Sequence, residues 1–184
     1  VGLLTGAMAV GTLLGGLFSG PVARIRLQGV AVSRAIMAYA GFTILFGLVI
    51  GAAMLGWFGP VGPDFQHVSW PALLLAFVAL AGTGVTDEFS AIFRTTMMLT
   101  AVPDDMRGRT QGVFIAVVTG GPRIGDLVAG GLATVVALAV PPAVGPDALW
   151  APPIIGGAAI LVLIWALLRG SAAWRAYDAR DPRP

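Results

Sequence analysis

The residues that could do chemistry are few and sit inside apolar runs. Asp87, Glu88 and Arg94 fall in one such run, and Arg123 and Asp126 in the next. An ionisable group near the centre of a bilayer costs about 2.5–3.5 kcal/mol on insertion scales, so such groups face a protein interior or a wet cavity and carry a role. With about 100° of rotation per residue, Thr83, Asp87, Ser90 and Arg94 make one polar stripe on a helix, and Glu88 stands one step round from it. Asp87 and Arg94 are two turns apart, about 10 Å along the axis. Each is therefore expected to find its partner on another helix, unless Arg94 simply snorkels to the near face. A carboxyl in low dielectric has a raised pKa and can take up and release a proton as its surroundings change from dry to wet, so Asp87 and Glu88 are candidate proton or substrate groups.

In the second charged run, Thr119-Gly120-Gly121-Pro122-Arg123-Ile124-Gly125-Asp126, Pro122 removes a helix hydrogen bond and Gly120 and Gly121 ease bending. A kink or break is expected, with carbonyls exposed for a ligand. Arg123 and Asp126, three apart, share a face and can neutralise each other or meet a charged substrate or coupling proton. Between the two runs lies Pro103-Asp104-Asp105-Met106-Arg107-Gly108-Arg109. Pro103 stops one helix, Asp104 or Asp105 can cap the next, and Gly108 permits a tight turn between Arg107 and Arg109. The two Arg either anchor topology or form gate ion pairs that break when the conformation changes.

The elements that position these groups follow from composition. Of 184 residues 57% are hydrophobic and 11% charged, with mean hydropathy +0.89, where soluble domains carry about 25% charged residues. That excludes a water-soluble enzyme and implies an integral membrane protein in contact with a lipid bilayer. Five segments, 1–22, 32–58, 70–99, 110–140 and 151–168, are long enough to cross about 30 Å of hydrocarbon as helices. They are too long, and too little alternating, for barrel strands. The fold class is all-α, a polytopic transmembrane bundle over 1–168 with a solvated tail over 169–184, in which Trp174 and Tyr177 are placed at headgroup level. Glycines four apart (Gly2 and Gly6, Gly11 and Gly15, Gly16 and Gly20, Gly47 and Gly51, Gly121 and Gly125) are expected to face neighbouring helices.

All 11 basic residues are Arg, and their placement sets orientation. Arg24, Arg26 and Arg34 flank the first connection, Arg107 and Arg109 the third, and Arg169, Arg175, Arg180 and Arg183 follow the last span. The second and fourth connections carry only Asp64, His67 and Asp147. By the positive-inside rule the chain begins outside a plasma membrane and ends in the cytoplasm. The net charge of +2 is too small for a nucleic-acid footprint. With no Cys and a single His, no metal site and no cofactor are expected. No nucleophile elbow or phosphate loop is present, so the expectation is not an enzyme. Val1 lies within an apolar run without an initiator Met, which reads as a piece of a longer protein.

The run Asp87 to Thr96 leading into Val102-Pro103-Asp104-Asp105-Met106-Arg107-Gly108-Arg109-Thr110-Gln111-Gly112-Val113 resembles the tenth helix, cytoplasmic loop and eleventh-helix start of major facilitator superfamily exporters, in the branch similar to the enterobactin exporter. Gly121-Pro122-Arg123-Ile124-Gly125-Asp126 with Ala129-Gly130 extends it. The stretch Gly20 to Leu27 departs from the family's pattern, with Arg24 in place of an Asp and Leu27 in place of a Gly. The resemblance implies helices eight to twelve of a twelve-helix transporter, the C-terminal half without its first helix, partnered by an N-terminal half. It implies proton-coupled export of an amphipathic small molecule, a drug or siderophore, by alternating access. Asp87, Glu88, Arg94, Arg123 and Asp126 would then handle proton or substrate, and Asp104, Asp105, Arg107 and Arg109 the cytoplasmic gate. The alternative is a non-transporting scaffold, or a half-transporter that needs a partner chain.

Overall fold

The structure is a computed structural model, and it describes residues 2–22, 25, 27–59, 69–139 and 149–176. The two Arg-free connections with Asp64, His67 and Asp147 lie outside those residues, as do Arg24, Arg26, Tyr177, Arg180 and Arg183. Among the described residues the elements are helical: α1 (Gly2–Leu17), α2 (Ser19–Val22), α3 (Gln28–Met54), α4 (Trp70–Ala101), α5 (Arg107–Ala139), α6 (Ala151–Gly170) and α7 (Ala172–Ala176), with a 3-10 turn at Asp104–Met106 before α5. Four of them, α3 to α6, are long and apolar enough to cross a membrane, and α1 is a shorter apolar helix. These properties fit an integral membrane protein.

The helix ends are set by local chemistry, and several differ from the sequence expectation. The expected span 1–22 is interrupted after Leu17, with α2 resuming at Ser19, and Pro21 has no N–H to donate to the Leu17 carbonyl. The second span, expected over 32–58, is shifted toward the N-terminus, to 28–54. It stops early because Gly56 adopts φ +76°. From there the Gly56 N–H bonds Ala53 O at 3.1 Å and the Trp57 N–H bonds Ala52 O at 3.1 Å, the Schellman closure that favours glycine. The earlier start puts Arg34 in the second turn of α3 rather than in a connection. α4 begins at Trp70-Pro71, where proline's missing N–H does no harm. It ends at Ala101 because Val102, preceding Pro103, is held extended at φ −102°, ψ 126°. α6 likewise opens on Pro152-Pro153.

Two expectations about breaks fail. α5 is helical without interruption from Arg107 to Ala139, with Pro122 inside it. One missing hydrogen bond does not outweigh the requirement that the remaining backbone groups of a spanning segment be satisfied by their own helix. Gly108 makes no tight turn either, since it lies in the first turn of α5. The 3-10 turn at Asp104–Met106 immediately precedes that helix.

Packing runs in a row: α1 on α4, α4 on α3, α3 on α6, and α6 on α5. α3 and α4 are antiparallel. At one end Ala31 and Val32 of α3 meet Phe93 of α4, with Ile36, Met97 and Trp174 around them. At the other, Val49 of α3 meets Ala72 and Ala76 of α4, with Leu4, Phe46, Ala53 and Phe58. Glycine allows the closest approaches. A Cβ on Gly11 would strike the carbonyl of Ala81, one on Gly15 would come within 2.9 Å of Glu88 Cβ, and one on Gly84 would strike the carbonyl of Met8. Gly47 and Gly51 face α6 at Trp150. The other pairs expected at contacts, Gly2 and Gly6, Gly16 and Gly20, and Gly121 and Gly125, have nothing within 4 Å of the position a Cβ would take. Four-residue spacing alone does not distinguish a packed face from an open one.

The tail begins as a structured element. Ser171 caps α7 by accepting the Trp174 N–H at 3.1 Å. The Trp174 indole Nε1–H donates to Ser33 Oγ at 2.9 Å, and that fully buried hydroxyl donates onward to Gly29 O at 2.8 Å. Trp174 is thereby docked against α3.

Candidate functional site

The site is built on the second half of α4. Thr83, Thr86 and Ser90 are buried. Thr83 returns its hydroxyl proton to Leu80 O at 2.7 Å and Thr86 to Gly82 O at 2.8 Å, the usual way a helix in an apolar setting satisfies hydroxyls. Ser90 Oγ is buried with no hydrogen-bond partner, and so is Arg94 Nε.

Asp87 and Arg94 are not paired to other helices. Arg94 Nη2 lies 3.4 Å from Asp87 Oδ1, an ion pair and weak hydrogen bond along the same helix. The expectation from axial distance fails because side chains on a helix tilt toward its N-terminus, and the long arginine chain reaches back two turns. The two side chains keep 51% and 40% of their accessible surface, respectively, so this pair sits on an uncovered edge of the stripe while Thr83 and Ser90 point inward. Asp87 is roughly 25 Å from the start of α4 and roughly 21 Å from its end at 1.5 Å per residue. It is therefore a mid-span charge. Glu88 diverges from Asp87, being half-buried with its Cβ against Gly15 of α1. Across from Asp87, on α3, the half-buried Tyr39 lies within its electrostatic reach. Tyr39 was not singled out from sequence; the usable signal was a hydroxyl-bearing aromatic in the middle of an apolar run.

The other predicted residues are placed apart from this row. On α5, Arg123 and Asp126 are both exposed, and no ion pair joins them to each other or to Asp87, Glu88 or Arg94. Gly120, Gly121 and Pro122 lie within the continuous helix. At the connection, Arg107 Nη1 pairs with Asp104 Oδ1 at 2.8 Å, and its Nη2 donates to Leu99 O at 3.2 Å. Arg107 thus caps the last turn of α4, as cations do at helix C-termini. Asp104 makes an ion pair where a helix cap was expected. Asp105 and Arg109 are exposed. Among the described residues no group of three or more His, Asp or Glu could hold a metal ion. Comparison with protein-family models, curated proteins and solved structures finds no match for this chain.

Proposed function

We propose that this chain is the C-terminal part of a proton-coupled secondary transporter that exports an amphipathic small molecule, such as a drug or siderophore, by alternating access. The observation that carries the reading is the Asp87–Arg94 pair, a mid-span carboxylate held by a guanidinium two turns nearer the helix end, on a face that is left open among the described residues. Such a face is too costly to turn toward hydrocarbon. It belongs against a wet cavity or against further helices that share one. A carboxylate held 3.4 Å from a guanidinium can exchange that partner for a proton. Protonation of Asp87 would free Arg94 for an anionic group, and deprotonation would restore the pair. The arginines near one end of the helices would face the cytoplasm, with the connection around Arg107 and Asp104 on the gate side.

The test is transport by the intact protein in proteoliposomes under an imposed pH gradient, read with a fluorescent amphipathic dye. Asp87→Asn is expected to reduce gradient-driven dye movement to the level of empty vesicles while insertion stays normal, and Asp126→Asn to weaken its dependence on the gradient. Unchanged proton-dependent export in both variants overturns the proposal.

A further inference from the structure

Near the end where α7 docks, α3 and α4 leave a groove of about 660 Å³ between them. The volume lies within the roughly 300–1,000 Å³ of small-ligand sites. Its walls are almost entirely apolar: Ala35 and Ala38 from α3, Phe89 and Phe93 from α4. The exceptions are Thr86, whose hydroxyl is already bonded to Gly82 O, and Arg34, the one charged group, which lines it from the second turn of α3. Arg34 is exposed, and among the described residues no carboxylate lies within ion-pair distance of it. The mouth has a second source of positive potential. α3 starts there without a side-chain cap at Leu27, and both Leu27 and Val30 line the opening. The N–H groups of its first turn therefore add their partial charge to that of Arg34.

Depth along the helices identifies what fits. α3, with 27 residues, is roughly 40 Å long and overhangs a hydrocarbon layer of about 30 Å by roughly 5 Å at each end. Arg34, six residues in, lies about 9 Å from the start of the helix, close to the boundary between headgroups and acyl chains and within snorkelling reach of it. Ala38 lies one turn deeper. On α4, Phe93 and Phe89 lie roughly 12 Å and 18 Å from the helix end, below that boundary. The groove thus offers a cation at headgroup level and a hydrocarbon wall directly beneath it.

We propose that this groove holds an anionic phospholipid, its phosphate on Arg34 and one acyl chain along Ala35, Ala38, Phe89 and Phe93. The inference rests on these helices crossing a bilayer and is independent of transport.

The experiment is native mass spectrometry of the intact protein in nanodiscs of phosphatidylglycerol and phosphatidylcholine in equal parts. Each variant is first shown to resist alkaline extraction from membranes, so that failure to insert is distinguished from failure to bind. The wild-type protein should retain phosphatidylglycerol preferentially. Arg34→Gln should lower that retention about fivefold, the attraction of one interfacial arginine. Arg169→Gln removes the same charge from the same end, at the last turn of α6, and should leave the preference intact. Ala38→Trp, which fills the groove without altering charge, should reduce retention of both lipids. Glycerol 3-phosphate added in solution should displace nothing. Wild-type retention in Arg34→Gln, an equal loss in Arg169→Gln, undiminished binding in Ala38→Trp, or displacement by the soluble phosphate would each overturn the proposal.

Discussion

α4 and α5 are nearly the same length, 32 and 33 residues, and read alike: long apolar helices with internal glycines, an Asp near mid-span and an Arg within two turns of it. Their surroundings differ sharply. α4 lies between α1 and α3 and buries residues along its length. α5 touches α6 and the turn that precedes it, and buries none. On α4, Gly82 presses on the Phe42 ring and Gly84 on the backbone of α1, whereas Gly120, Gly121 and Gly125 of α5 have open space where a Cβ would stand. The charges follow the packing. Asp87 and Arg94 hold each other at the edge of a packed face, while Arg123 and Asp126 stand unpaired with one another on a face left open among the described residues. Among the described residues, similar glycines and charges therefore lie at packed faces on α4 and at open ones on α5.

The most severe way to break the contrast is to add volume where α4 meets α1. Gly84→Leu would put a side chain into the Met8 carbonyl, and its Cβ 2.9 Å from the Thr12 nitrogen. Backbone cannot rotate aside, so the helices must separate. The expected destabilisation is at the upper end of the roughly 1–3 kcal/mol typical of overpacking, or above it. It should appear as loss of the monodisperse peak in detergent gel filtration and a lower unfolding midpoint. The matched change on α5, Gly121→Leu, should leave both unchanged. Equal damage from the two would show that α5 packs as tightly as α4 and erase the distinction.

A smaller effect tests how the α4 end is closed. Trp174 of α7 covers the Phe93 cluster and donates to Ser33, a cover that α5 does not share. Trp174→Phe keeps most of the ring contact but removes the indole N–H. Ser33 keeps its own donation to Gly29 O, so the loss is a single hydrogen bond, about 0.5–1.5 kcal/mol. It should be measurable as a modest drop in thermal midpoint, with faster amide exchange confined to α7 and the first turns of α3. No change in exchange there would mean that the docking adds nothing to stability.

The four long helices were legible because length and composition suffice for them. The end of α4 was legible because Pro103 acts on it directly, and the starts of α4 and α6 because their apolar runs open there. The Gly56 closure of α3 was missed because glycine within an apolar run reads equally as packing or as a stop, and only a positive φ separates the two. For the site, helical phase put Thr83, Asp87, Ser90 and Arg94 on one stripe correctly. It misjudged the Asp87–Arg94 pairing, because axial distance ignores how far an arginine reaches. Which glycines touch, and that Tyr39 lies opposite Asp87, depends on which helix neighbours which. A single sequence does not carry that order.

The finest discrimination is between the two arginines, one paired and one not. Arg94→Gln removes the partner of Asp87 in an ion pair whose members are 40% and 51% exposed, so solvent screening limits its worth to about 0–1 kcal/mol. Arg123→Gln removes an arginine that has no acidic partner among the described residues, and its expected effect on stability is nil. Thermal melts in detergent should therefore separate the two by less than a degree or so of noise at high salt, with any deficit confined to Arg94→Gln at low salt, where screening is weakest. A large loss in Arg94→Gln at any salt would mean that its orphaned Nε and the buried Ser90 hydroxyl belong to a network stronger than the visible pair. A loss in Arg123→Gln would mean that the open face of α5 is covered in the intact protein by a partner that pairs with it.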